Sequence, residues 1–255
     1  MILLISASKR LRKSYLHKGN GTLPYFIEEA KELQNILKNL YPLQIKWMLK
    51  VNPRMGERIH KLYQNWSADK LSNGCWALEL YHGTTYNAVY CDDWSDHEWG
   101  FAQEHVRIIS GLYGLLRPKD TVLPYRLEMH SVIPSKSITS LYDFWGNKLM
   151  NRLVEELKTH DDNIILNLAS NEFAQAVLPH CPPEVKMITV QFLEYRDDKW
   201  KTIPVNAKKA RGYMVRYVVK NNIKSLEDVK KFREMNFVFD AEASNENTFI
   251  FRIPH

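Results

Sequence analysis

The sequence predicts an α/β fold of the mixed α+β kind: a single domain over residues 1–255 in which helices flank a central mixed β-sheet. Three observations lead there. Short apolar runs that open into polar loops, such as Met1-Ile-Leu-Leu-Ile5 and Asn163-Ile-Ile-Leu-Asn167, read as buried strands. Between them lie amphipathic segments of helical period. The 255-residue chain, 45% hydrophobic and 25% charged, has the composition of a globular protein with a full core.

The first strand ends at Ser6-Ala7-Ser8-Lys9, where two hydroxyls and a lysine suit a phosphate or carboxylate. Arg10, Arg12, Lys13 and Lys18 follow in a loop turned by Gly19-Asn20-Gly21. From Pro24 to Leu40, residues Phe26, Ala30, Leu33, Leu37 and Leu40 share one face of a helix. Pro42 and Pro53 open two more, since proline fits the first helical turn. Ala77–Leu80 is read as a strand running into the loop His82-Gly83-Thr84-Thr85-Tyr86. Asp96 is expected to cap the next helix. The segment Val106–Ser110 is compatible with a helix end or with a strand, and periodicity does not choose between them.

The stretch Ser110–Met129, SGLYGLLRPKDTVLPYRLEM, concentrates the candidate ligand chemistry. Gly111 and Gly114 let the backbone turn tightly and bring its N–H groups near an anion, while Arg117 and Arg126 can fork onto phosphate. If the preceding segment is helical, Ser110–Gly114 becomes the bend of a helix-hairpin-helix-like element. A tight turn between core elements accounts for the same residues equally well.

Leu141–Gly146 starts a long helix, with Asp143 at its positive end. After the 163–168 strand, Ala169-Ser170-Asn171-Glu172 forms the loop at which open α/β sheets place ligands. A hairpin spans 185–205 about Arg196-Asp197-Asp198. In the helix beyond it, Lys209, Tyr213, Arg216 and Lys220 share a face, with Lys208 and Arg211 beside it. Such a stripe suits a nucleic-acid backbone and is also what a solvated face looks like. Ser225 caps a short helix, and 236–240 with 248–253 form a closing strand pair.

Charge is uneven along the chain. Residues 1–70 carry 13 Lys/Arg against 5 Asp/Glu, and residues 71–106 carry 6 acidic residues with no Lys or Arg. The net charge of +6 therefore predicts one face that attracts polyanions. The three cysteines form no CxxC pair, and His97, Glu98, Glu104 and His105 match no zinc or di-iron spacing, so neither metal nor cofactor is expected. No run is long enough for a membrane span, and MILLIS lacks the basic flank of a signal peptide. The expectation is a cytoplasmic protein.

Five separated segments, FAQEHVRIISGLYGLLRPKDTVLPYRLEM, LYDFWGNKL, NLASNEF, NAKKARGYMVRY and FVFD, together resemble the YaaA peroxide stress proteins across nearly the whole chain. The resemblance implies a bacterial protein that limits iron-dependent DNA damage under peroxide by keeping free iron low. It also implies a positively charged cleft, a helix-hairpin-helix-like element and binding of double-stranded DNA, including distorted duplexes. Carried onto this chain, the hairpin is Ser110–Gly114 and the cleft cations include Lys9, Arg117, Arg126, Lys208, Lys209 and Arg211. Two stretches depart from the family: Ser6-Ala7-Ser8-Lys9 replaces Ser-Pro-Ala-Lys, and His82-Gly83-Thr84-Thr85-Tyr86 replaces Lys-Gly-Asp-Val-Tyr.

The expected partner is double-stranded DNA or a nucleotide-like ligand, bound by a monomer. The binding residues are Ser6, Lys9, Gly111, Gly114, Arg117, Tyr125, Arg126, Asn167, Ser170, Glu172, Lys209, Arg211 and Arg216. The alternative is an enzyme acting on a nucleotide, nucleobase or DNA lesion, with Glu128, Asp143 and Lys208 as its acid–base groups.

Overall fold

In the computed structural model, residues 1–17 and 19–254 are described; Lys18, one of the loop cations above, lies outside the described residues. The central sheet has eight strands: β1 (Ile2–Ser6), β2 (Val106–Ser110), β3 (Gly114–Leu116), β4 (Ile164–Asn167), β5 (Lys186–Arg196), β6 (Lys199–Lys201), β7 (Val238–Asn245) and β8 (Thr248–Arg252). Their order is β7-β8-β5-β4-β1-β2-β3, with β6 folded back on β5. β1 pairs in parallel with β2 and β4, and β4 with β5 and β5 with β8 are parallel too. The β2–β3, β5–β6 and β7–β8 pairs are antiparallel, so the sheet is mixed. Ile2–Ile5 are fully buried, as a strand covered on both faces requires.

Six helices of eight residues or more flank the sheet among the described residues: α1 (Ile27–Leu37), α2 (Pro42–Leu49), α3 (Pro53–Asn65), α4 (Asp96–His105), α5 (Lys148–Leu157) and α6 (Pro204–Lys220). The proline-led starts of α2 and α3 fall where the sequence places them. No described helix is long and apolar enough to cross a membrane.

Four local readings change. Ala77–Leu80 is one helical turn between two-residue strands, and its four side chains are all buried. Ser95, not Asp96, caps α4, its hydroxyl accepting from the Glu98 N–H while the Glu98 carboxylate accepts from the Ser95 N–H. The helix opened at Leu141 stops at Trp145, since Gly146 adopts φ +46°, and α5 starts afresh. Most consequential, Val106–Leu116 is a β-hairpin rather than a helix-hairpin-helix. Strand β2 is buried along its whole length, and a strand covered on both faces shows no strict alternation of polar and apolar residues.

At the amino end of β1, His105 Nδ1 donates to the Met1 carbonyl (2.8 Å), and the His160 ring stands edge-on to it at 4.9 Å. Burial is the largest influence on both imidazoles; it lowers His105 and pushes His160 down to about 4. Both stay neutral in the folded chain, whereas an unfolded histidine titrates near 6.5. The unfolded state therefore binds more protons, and stability should fall as pH drops from about 6.5 toward 4. Urea midpoints measured between pH 7.5 and 5 should decline, and His160→Asn should flatten part of that decline. An unchanged slope in the variant would refute the assignment.

Candidate functional site: a cationic cleft at the strand ends

The chain leaves β1 for β2 on one side and later returns to β4 on the other. Connections thus part in opposite directions at the carboxyl ends of β1 and β4, which opens a crevice in the manner of doubly wound sheets. Ser6 and Ser170 pin its floor: Ser6 Oγ accepts from the Ser170 N–H (2.8 Å) and lies 3.3 Å from Ser170 Oγ. Tyr86 donates its hydroxyl to the Ser6 carbonyl (2.8 Å).

The crevice is a cleft of about 890 Å³, between the 6–10 loop, the 82–86 loop, residues 168–173, β5 and the first half of α6. Both stretches that depart from the family pattern line it, and Ser8 Oγ ties them together by donating to the His82 carbonyl. Gly212 lets α6 approach this wall: a Cβ there would meet the Thr85 carbonyl at 2.1 Å.

Charge is distributed asymmetrically. Lys9 Nζ lies 3.3 Å from Glu128, which also receives Arg126 at 3.0 Å. Glu128 is 4% exposed, so this carboxylate is held by two cations at a narrow side pocket opening from the cleft. Glu172 accepts from the Met129 N–H (3.0 Å) and lies 2.8 Å from His130 Nδ1. By contrast, Arg10, Lys208 and Arg211 have no carboxylate or hydrogen-bonded side-chain partner among the described residues. The Arg211 Nε is sealed from solvent without an acceptor, and burial pulls its guanidinium below the usual range. A desolvated, uncompensated cation is costly, and an anion bound beside it removes that cost.

Of the predicted residues, Ser6, Lys9, Ser170, Glu172, Lys208 and Arg211 line the cleft, and Arg126 and Glu128 line its side pocket. The others lie elsewhere for identifiable reasons. Tyr125 turns its hydroxyl into the core, bonded to Ser110 (2.6 Å) and Tyr81 (2.7 Å), and burial pushes it up to about 12. Asn167 shapes the turn, accepting from the Ala169 N–H and donating to Thr189. Gly111 and Gly114 are buried against Leu127 and Trp145, so their amides face protein rather than phosphate.

Ser140 caps the short helix by accepting from the Asp143 N–H, and the Asp143 carboxylate, which accepts from the Ser140 hydroxyl (2.7 Å), does not line the cleft. Arg117 binds Asp120 and lines a different cavity, with Met1 and His105, at the amino end of β1. Arg216 grips Asp93 in a fork (2.8 and 2.6 Å), and Lys220 reaches Asp93 and Glu98. The acidic segment therefore neutralises half of the α6 stripe. Lys209 is exposed over Tyr213, outside the lining. Sequence reasoning missed Thr189, Gln191 and Thr202 as lining residues. The first two sit at i and i+2 on β5, a face that alternation alone identifies as shared.

A model of the family described as peroxide stress protein YaaA matches residues 1–243. A UPF0246 protein of Clostridium beijerinckii is 34% identical over 256 residues, covering 98% of this chain and 97% of its own length. A UPF0246 protein of Burkholderia thailandensis is 35% identical, with 99% and 98% covered.

Proposed function

The chain belongs to the YaaA family of peroxide stress proteins, and from that premise we propose that its cleft binds DNA by taking in one phosphate-bearing nucleotide displaced from a distorted duplex. The observation that carries this reading is Arg211, a half-buried guanidinium without a counterion, flanked by the free cations Arg10 and Lys208. The cleft volume supports a nucleotide-sized guest, since pockets of roughly 300–1,000 Å³ enclose small molecules. A paired duplex would ride on the rim, whereas an unstacked nucleotide, already freed from its pairing cost, can enter. Limitation of iron-dependent DNA damage belongs to this same reading, with the protein occupying the lesion.

Anisotropy with a duplex carrying one bulged nucleotide, against the fully paired duplex, tests it. Three free cations predict a slope of log K on log salt of roughly −2.7, and tighter binding of the bulged duplex. Equal affinity for the two, or affinity that ignores salt, would sink the reading.

A second reading, acid–base chemistry on the bound nucleotide, draws on Glu128 beside Lys9 at the side pocket. Product formation that Glu128→Gln removes while binding persists would favour it over binding alone.

A further inference from the structure

A second cavity, of about 660 Å³, opens at the amino end of β1, where Met1 lines it; Ser6, at the carboxyl end of the same strand, lines the cleft. Its walls are the last turn of α4, the end of α5 with the turn after it, and Lys224 beyond α6. Most of the charge there is already matched. Arg107 and Arg152 both hold Glu156, Arg117 holds Asp120, and Asp162 holds the Met1 amine (2.8 Å). Lys224 and Asp161 also line the cavity, and neither has an ion-pair or hydrogen-bond partner among the described residues.

Glu104 and His105, which match no metal spacing in the sequence, stand in the same wall with their acceptors unanswered. His105 is 5% exposed, and because its Nδ1 donates to the Met1 carbonyl, its Nε2 carries a bare lone pair. That nitrogen has no hydrogen-bond partner and faces Glu104 Oε2 at 3.9 Å. Two acceptors held so close repel unless a donor stands between them, and a buried acceptor left unpaired is costly. No three His, Cys, Asp or Glu side chains among the described residues are placed to hold a metal ion, so the donor that fits is an N–H. One ammonium nitrogen reaches both acceptors at ordinary bond lengths of about 2.8–3.0 Å.

We propose that this cavity binds a free basic amino acid: the α-ammonium bridges His105 Nε2 and Glu104, the α-carboxylate pairs with Lys224, and the side-chain cation meets Asp161. Glu104 and Asp161 against Lys224 leave two acids and one base unmatched, which complements a guest carrying two cations and one anion. The volume suits a small molecule of that size. The site lies at the other end of β1 from the cleft and stands or falls independently of the cleft's ligand.

The test is isothermal titration of the full chain with L-arginine, L-citrulline, L-arginine methyl ester and Nα-acetyl-L-arginine. L-arginine should bind, and each analogue, having lost one of the three charges, should bind at least about fivefold more weakly. Lys224→Gln should weaken L-arginine at least about fivefold and the methyl ester less than about twofold, since the ester has no carboxylate to lose. Asp161→Asn should likewise weaken L-arginine and spare L-citrulline. Both side chains are exposed, so the substitutions leave the core alone. Arg211→Met should leave L-arginine affinity unchanged, which separates this cavity from the cleft. Absence of saturable L-arginine binding, equal affinity for L-citrulline, affinity that Lys224→Gln and Asp161→Asn both leave intact, or affinity lost in Arg211→Met would each overturn the proposal.

Discussion

Replacing Arg211 with methionine is expected to raise the stability of the unliganded protein while removing its response to phosphate-bearing ligands. The guanidinium is half-buried, its Nε meets no acceptor, and no carboxylate among the described residues answers its charge. Methionine keeps comparable length and loses the desolvation cost, which should stabilise the fold by about 1–2 kcal/mol. In the other direction, a guanidinium fork onto phosphate makes charge-assisted bonds of roughly 1.5–3 kcal/mol each. Affinity for adenosine monophosphate should therefore drop by about 10- to 100-fold or more. Urea unfolding with and without the nucleotide reads both effects together. A variant less stable than wild type, with its nucleotide response intact, would show that Arg211 serves the fold and not the cleft.

The second large effect is expected at the β3 edge of the sheet. Gly114→Ala should destabilise the protein by about 2–5 kcal/mol and leave the nucleotide affinity of the surviving folded fraction untouched. Gly114 adopts φ +68°, a left-handed conformation that costs an alanine about 1–2 kcal/mol. Its added Cβ would also stand 2.6 Å from the Trp145 ring and 2.9 Å from Leu149, and overpacking of that kind costs about 1–3 kcal/mol more. The Trp145 indole meanwhile donates to the Gly111 carbonyl (3.2 Å), so the whole bend is core. Denaturation midpoints and a nucleotide titration decide the matter. Loss of affinity without loss of stability would return the glycine pair to the ligand.

These two positions also show what kind of information a chain of residues carries. Gly111 and Gly114 announce a tight turn, and a tight turn is what they make. Whether the turn faces phosphate or tryptophan depends on Trp145, 34 residues beyond Gly111, and nothing in the local spelling mentions it. Arg216 and Lys220 likewise fall on the expected stripe of α6, but Asp93 and Glu98 have already claimed them from more than 120 residues upstream. Asp143 departs from expectation for the opposite reason: a carboxylate at a helix start satisfies the helix-dipole rule and the ligand rule equally, and here it accepts from the hydroxyl of Ser140, the residue that caps the helix.

The sequence by itself determined the strands that end at Ser6 and Asn167, the proline-led helices, the strand-end loops at Ser6 and Ser170, and the family. Each depends on periodicity or on residues adjacent in the chain, which the backbone reads locally. The tertiary structure alone decided that Arg10, Lys208 and Arg211 stay unpaired while Arg117, Arg126 and Arg216 do not. Free charge is a property of what lies opposite a side chain, and in this fold the answering carboxylate is brought near by sheet order, not by sequence neighbourhood.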